Sequence, residues 1–280
     1  MPIIGSFGAG SGRGFGLTSG GFQGICATGG TITDDGIYRI HTFTGTSTFT
    51  VNAVSPEPEF NEVDYLVIGG GAGSGEGGGG GGGFRASDGT HSGCYCAGPS
   101  PLVNGVAGIT VTAQGYPITV GGKGEHINFC QGGTGGNGST FSTITASGGG
   151  GGGGRHVNGR SGGSGGGAGD FSATCGGAGN QPPVSPPQGN PGGNGPGGGG
   201  ENGGGGGGAT QPGGNANGIG GLGANSSISG SAVAYSRGGS GCGGGPFTPL
   251  PSDANTGQGG SGPGNTKAGD GTVVIRYRFK

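Results

Sequence analysis

Three uninterrupted glycine runs, Gly77–Gly83, Gly148–Gly154 and Gly203–Gly208, constrain this chain more than any other feature. A residue without a Cβ adds nothing to a hydrophobic core, and glycine loses more backbone freedom on folding than any other residue. Ordering one residue costs about 1–2 kcal/mol. Glycine makes up 90 of the 280 residues, the proportion of a collagen triple helix. Collagen also needs a strict Gly-X-Y period and far more proline. Here proline numbers 17 and the glycine runs have no such period, so collagen is excluded. What remains is a disordered low-complexity chain or a fold built from glycine backbone itself.

Disorder by composition calls for high net charge and few aromatics. This chain has a net charge of −2, with 12 Phe and 6 Tyr gathered in clusters. The balance of 11 basic and 13 acidic residues gives no footprint for nucleic acid or an anionic membrane. Arg237 is the one arginine followed directly by two glycines, so RGG-type RNA binding is disfavoured. No apolar stretch reaches the roughly 18–20 residues of a membrane span. The opening MPIIGSFGAG lacks the charged and apolar regions of a secretory signal. No membrane insertion is expected, and synthesis in a cytoplasm is. Of the six cysteines, Cys94 and Cys96 form a CxC with no second close pair, which disfavours zinc. Cys26, Cys130, Cys175 and Cys242 are dispersed, and both buried thiols and disulfides made in an oxidising medium stay open.

Strand signals bracket the glycine. Residues 38–43 and 48–51 alternate with period two on either side of Gly45, which predicts a β-hairpin ended by the prolines Pro56 and Pro58. Val63–Ile68 is a nearly continuous apolar run, the pattern of a strand buried on both faces. Thr272–Phe279 is the most β-prone segment, and weaker strands are expected at 109–112 with 116–120, and at 141–146. No amphipathic helix is visible. Glycine tracts can adopt an extended polyproline-II-like helix with three residues per turn. Packed side by side without Cβ atoms, such helices can satisfy one another's backbone groups. The expected fold is therefore all-β: a small sheet framework plus packed polyglycine-II-like helices, with no α-helix. The expected division is residues 1–30 as an N-terminal segment, 31–62 as a hairpin region and 63–280 as the glycine-rich domain.

Two motifs mislead. YLVIGGGAGSG looks like a strand entering a dinucleotide-binding loop, but that fingerprint must open a helix. Glu76 and seven glycines follow instead, so no helix N-terminus is there to hold a phosphate. A Ser/His/Asp set could be drawn from His41, His91, His126 or His156, but such sets carry no meaning without geometry. Neither an enzymatic activity nor a cofactor or metal is expected.

The order of segments is itself distinctive. Tyr65–Ile68 enters Gly69–Gly71; then come GYPITVGG at 115–122, GNGSTF at 136–141, and Ile144–Gly148 opening a tract; GDGTVVIRY at 269–277 closes. This resembles the glycine-rich domain at the C-termini of bacteriophage tail fibre proteins, over residues 31–280. In composition and plan the chain also resembles the distal adhesins of T-even-type phages. The resemblance implies a virion component at a fibre tip, made in the host cytoplasm, that binds a host surface protein or glycan. It implies tail fibre or baseplate proteins as partners; tail fibres are commonly trimeric, and both a homotrimer and a monomer stay open. Because only about 30 residues precede the first hairpin, residues 1–30 are expected to dock a separate tip subunit onto a fibre. Recognition would fall to side-chain-rich inserts between the tracts. Their candidate contacts are Phe84, Arg85, His91 and Tyr95; His126 and Phe129; Arg155, His156 and Arg160; Tyr235 and Arg237; and Phe247. A purely structural or ice-associated glycine-rich protein is the alternative.

Overall fold

The computed structural model describes residues 23–171, 175–198, 202–216, 218–243, 255–262 and 268–280. Among them there is no α-helix, only a 3₁₀ turn at Pro58–Phe60 and fifteen short strands. In chain order the strands are β1 Cys26–Thr28, β2 Thr31–Asp35, β3 Tyr38–Phe43, β4 Ser47–Ala53 and β5 Glu62–Ile68. There follow β6 Phe84–Ala86, β7 Ile109–Thr110, β8 Gly115–Thr119, β9 His126–Asn128 and β10 Gly132–Gly133. The last are β11 Ser139–Phe141, β12 Ile144–Ala146, β13 Ala224–Ser226, β14 Val233–Tyr235 and β15 Thr272–Arg278. One sheet runs β2-β3-β15-β5-β6, with β7 also on β5; a second runs β1-β4-β8-β11-β12. β9–β10 and β13–β14 are two-stranded ribbons.

The larger sheet is covered on both faces, as the continuous apolar run predicts. On one side Phe43, Tyr65, Val67, Val273, Ile275 and Tyr277 meet Phe49, Val51, Tyr116, Ile118 and Phe141 of the second sheet. On the other, Ile40, Leu66, Ile68 and Val274 meet Phe84, Leu102, Val103, Ile228 and Tyr235. Phe49 sits among the rings of His41, Phe43, Tyr116, Phe141 and Tyr277 at centroid distances of 5.0–6.5 Å. His41 is fully buried there, its Nδ1 2.7 Å from the Gly29 carbonyl and its Nε2 2.9 Å from the Tyr277 hydroxyl. The carbonyl can only accept, so Nδ1 carries the proton and Nε2 accepts from Tyr277.

The hairpin expected around Gly45 does not form. β3 pairs with β2 and β15, whereas β4 pairs with β1 and β8. Residues 44–46 are a corner between sheets, so Phe43 and Phe49 meet edge to face across the core, 6.5 Å apart. The hairpin lies one strand earlier, β2 to β3, and turns at Gly36 with φ 64°. The segments at 109–112 and 116–120 also separate: β7 joins β5, and β8 joins β4 and β11. Residues 139–146 hold a tight hairpin, β11 to β12, rather than one strand. Cys26–Thr28, inside the expected docking segment, is a strand of the second sheet, while residues 1–22 lie outside those described.

The glycine tracts form a lattice whose bonds repeat every three residues. Gly77, Gly80 and Gly83 donate to Gly153, Gly150 and Ser147; Gly78 and Gly81 donate to Gly204 and Gly207; Gly79 and Gly82 donate to Gly260 and Gly257. These bonds span 2.7–3.0 Å. On the acceptor side, Gly78 and Gly81 receive Gly167 and Ser164, Gly79 receives Gly239, and Gly80 and Gly83 receive Ala72 and Gly69. Residues 77–83 are thus an extended threefold helix hydrogen-bonded to neighbours on every side, the geometry of packed polyglycine II. No glycine among them has a positive φ. Glycine is required here for its missing Cβ: a methyl on any of Gly77–Gly82 would collide with a neighbour's carbonyl oxygen. At the lattice boundary, where a backbone neighbour is missing, side chains accept instead. Asn158 Oδ1 takes Cys175 N, Asn194 Oδ1 takes Gly176 N, and Asn215 Oδ1 takes Asn194 N, at 3.2, 3.0 and 2.8 Å.

Candidate functional site

Tracts leave the sheets and return to them, so successive inserts alternate between two ends of the lattice. β5 feeds residues 69–75, which turn at Glu76; residues 77–83 run back to β6. β8 feeds 121–125, and 132–138 return to β11; β12 feeds 147–154. The end far from the sheets therefore gathers residues 74–76, 125–131 and 155–158, with Asp170, Phe171 and Cys242. The sheet end gathers residues 84–106 and 224–236.

At the far end, four of the expected contacts come together. His126 sits on β9 with Nδ1 2.8 Å from the Ser74 carbonyl, and its ring meets Phe129 edge to face at 5.6 Å. The Asn128 side chain caps the turn that follows by accepting from Cys130 N and Gln131 N at 2.9 and 2.7 Å. Arg155 N donates to the Phe129 carbonyl at 2.6 Å, which ties the second insert to the first. The Arg155 guanidinium lies 4.4 Å over the Phe171 ring, with Nε 4.0 Å from Glu76 Oε1. The His156 ring is 5.4 Å from Phe171. His156 and Phe171 have φ of 60° and 57°, a left-handed conformation that non-glycine residues adopt only where the surroundings impose it. Phe129 and Ile127, two positions apart on the β9–β10 hairpin, are 49% and 45% exposed. Aromatic and arginine side chains on a rigid base are the usual anchors of an interface.

Phe171, Glu76 and Ile127 were not among the sequence candidates. Phe171 carries the same signal as Phe84, a lone aromatic where a glycine tract stops, and that signal alone does not say which end of the lattice it occupies.

The other candidates lie elsewhere, and several are core. Phe84, the first residue of β6, is fully buried against the outer face of the larger sheet, and Tyr235 of β14 is buried in the same cluster. Both stand where the chain rejoins the sheets, so burial claims the side chain. Tyr95 packs against that cluster too, and burial pushes its phenol far up from its ordinary pKa. Burial takes Phe84 and Tyr235 off the surface, while Tyr95 stays partly exposed. Arg85 is half-buried opposite Val67 on β6. His91 Nε2 is 3.1 Å from Glu62 Oε2 at the sheet end. Arg160 is exposed on the lattice flank, its N–H bonded to the Gly151 carbonyl at 2.9 Å. Arg237 is partly buried where its tract leaves the sheet end, and Phe247 lies outside the described residues.

Asp64, Asp88 and His91 place ligand-type atoms within 4.8 Å of one another. Asp64 is buried, and its oxygens accept from Ser87 Oγ, Ser92 Oγ, Ser92 N and His91 N at 2.6–3.2 Å. That carboxylate pins residues 87–92 to β5.

The family model for a glycine-rich domain matches residues 41–278, from within β3 to the last residue of β15. The chain belongs to that family. The match of the glycine-rich domain takes in the lattice and every strand from β4 to β15, and leaves out β1, β2 and the first half of β3. No curated protein and no solved structure matches the chain.

Proposed function

We propose that this glycine-rich domain is the tip subunit of a bacteriophage tail fibre, a virion adhesin that binds a host surface protein or glycan. The observation supporting it is the convergence of His126, Phe129, Arg155 and His156 with Phe171 on one end of a side-chain-free lattice. A lattice without mobile side chains fixes its inserts before any partner arrives, which lowers the ordering cost of binding. The inserts at the far end then act as the receptor surface, and the sheet end is left for tail fibre or baseplate proteins. Arg155 lies against the Phe171 ring and the Glu76 carboxylate, and the His156 ring lies against Phe171.

Binding of the purified protein to host cells tests this. Phe129→Ala with Arg155→Ala is expected to weaken adsorption at least about tenfold, the effect of losing two interface anchors. Thr33→Ala, on the exposed β2 edge, is expected to leave it unchanged. Equal adsorption by all three proteins would sink the proposal.

A further inference from the structure

We infer that Asn104 is a site of spontaneous deamidation, and that the lattice shields other asparagines of the same kind. Six asparagines precede a glycine: Asn104, Asn137, Asn158, Asn194, Asn202 and Asn217. In such a pair no side chain hinders the glycine nitrogen from attacking the asparagine Cγ. The new C–N bond closes a succinimide, the Cγ–Nδ2 bond breaks, and ammonia leaves with the proton of the glycine nitrogen. Water then opens the ring at either carbonyl, leaving aspartate or isoaspartate. Attack needs a backbone free to rotate, a side chain free to turn and a nitrogen free of other bonds.

In the lattice those freedoms are lost. Asn137 donates from its N to the Gly122 carbonyl, and its own carbonyl accepts from Gly70 N, both at 2.9 Å. Asn158 Oδ1 accepts from Cys175 N, and Gly159 N, the nitrogen that would attack, donates to the Cys175 carbonyl at 3.0 Å. Asn194 Oδ1 accepts from Gly176 N, while its backbone N and carbonyl are bonded to Asn215 Oδ1 and Ala216 N. Gly203, which follows Asn202, is buried, and Asn217 lies outside the described residues.

Asn104 stands at the sheet end, in the segment between β6 and β7, where it and Gly105 are both exposed. Its turn is held by Val106 N to the Val103 carbonyl and Asn104 N to the Pro101 carbonyl, each at 3.4 Å. Both exceed the ordinary length of a hydrogen bond. Gly105 has φ 65°, and a Cβ on it would meet nothing within 4 Å. Among the described residues, Gly105 N makes no hydrogen bond. The side chain is held by Ser100 Oγ alone, which accepts from Nδ2 at 3.0 Å. Conversion removes that donor and places a carboxylate on the turn that carries the buried Leu102 and Val103.

The test is peptide mapping by mass spectrometry of the full chain aged in mildly alkaline buffer, folded and in urea. In the folded protein Asn104 is expected to convert at least about tenfold faster than Asn137, Asn158 or Asn194, whose conversion waits for the lattice to open. In urea the four rates are expected to converge, because the structure and not the neighbouring sequence separates them. Asn104→Gln is expected to remove the fast phase of ammonia release from the folded protein. Equal rates at the four asparagines in the folded protein would overturn the inference. So would conversion led by a lattice asparagine, a spread that persists in urea, or an unchanged fast phase in Asn104→Gln. Receptor binding is not a readout, so this site stands or falls apart from the adhesin proposal.

Discussion

The two halves of this molecule are held together by opposite means. In the sheet frame, side chains do the packing: Phe49 is enclosed by five rings, and β5 and β15 are buried at nearly every position. In the lattice the side chain is the obstacle, and cohesion comes from backbone bonds that repeat every three residues. One half tolerates glycine where the chain turns, as at Gly36. The other tolerates little else. A fold with only 27% hydrophobic residues can be ordered because its glycine half asks nothing of the hydrophobic effect.

The sharpest way to break that contrast is a methyl in the wrong half. Gly79→Val places side-chain atoms against the Ala72 carbonyl, with backbone and no flexible side chain to give way. Its cost in denaturant unfolding is expected to exceed the about 1–3 kcal/mol of ordinary overpacking. Gly45→Ala, which meets nothing within 4 Å, is expected to be near neutral. Next in size, Phe49→Ala is expected to cost about 3–5 kcal/mol through the cavity it leaves between the sheets. Asn194→Ala removes the acceptor that replaces a missing neighbour for Gly176, and about 1 kcal/mol is expected from melts of the variant.

A smaller effect depends on pH and belongs to the frame alone. Burial lowers the pKa of His41 from its ordinary value, against a smaller opposing effect of its bond to Gly29. The folded state therefore keeps His41 neutral while the unfolded chain takes up a proton below about pH 6.5. Stability is full above that pH and falls as pH drops below it, by at most about 1.4 kcal/mol per pH unit from this group. His41→Gln is expected to flatten that part of the stability profile. An unchanged profile would remove His41 as its cause.

Much of the frame could be read from the sequence, since Glu62–Ile68 and Thr272–Arg278 are where their apolar runs put them. The lateral packing of glycine tracts was also legible, because nothing else can satisfy so much backbone. The β2–β3 hairpin was not. All five residues of β2 are exposed, so no alternation marks the strand, while the period-two pattern across Gly45 describes two strands facing one core rather than one another. For the site, the sequence treats every insert between tracts as equivalent. The direction of the tracts separates them: an odd number of passes from the sheets reaches the far end, and an even number returns. Phe84 and Tyr235 thereby become core, whereas Phe129 and Arg155 stay at the surface.

Amide hydrogen exchange of Gly77–Gly83, compared with Thr272–Arg278 in the same sample, tests the central claim that glycine is the scaffold here. The expected result is protection of the seven glycine amides equal to that of β15, lost only on global unfolding. Exchange of those glycines within seconds while β15 stays protected would mean that the tracts are not a lattice, and that the far-end inserts have no rigid base to stand on.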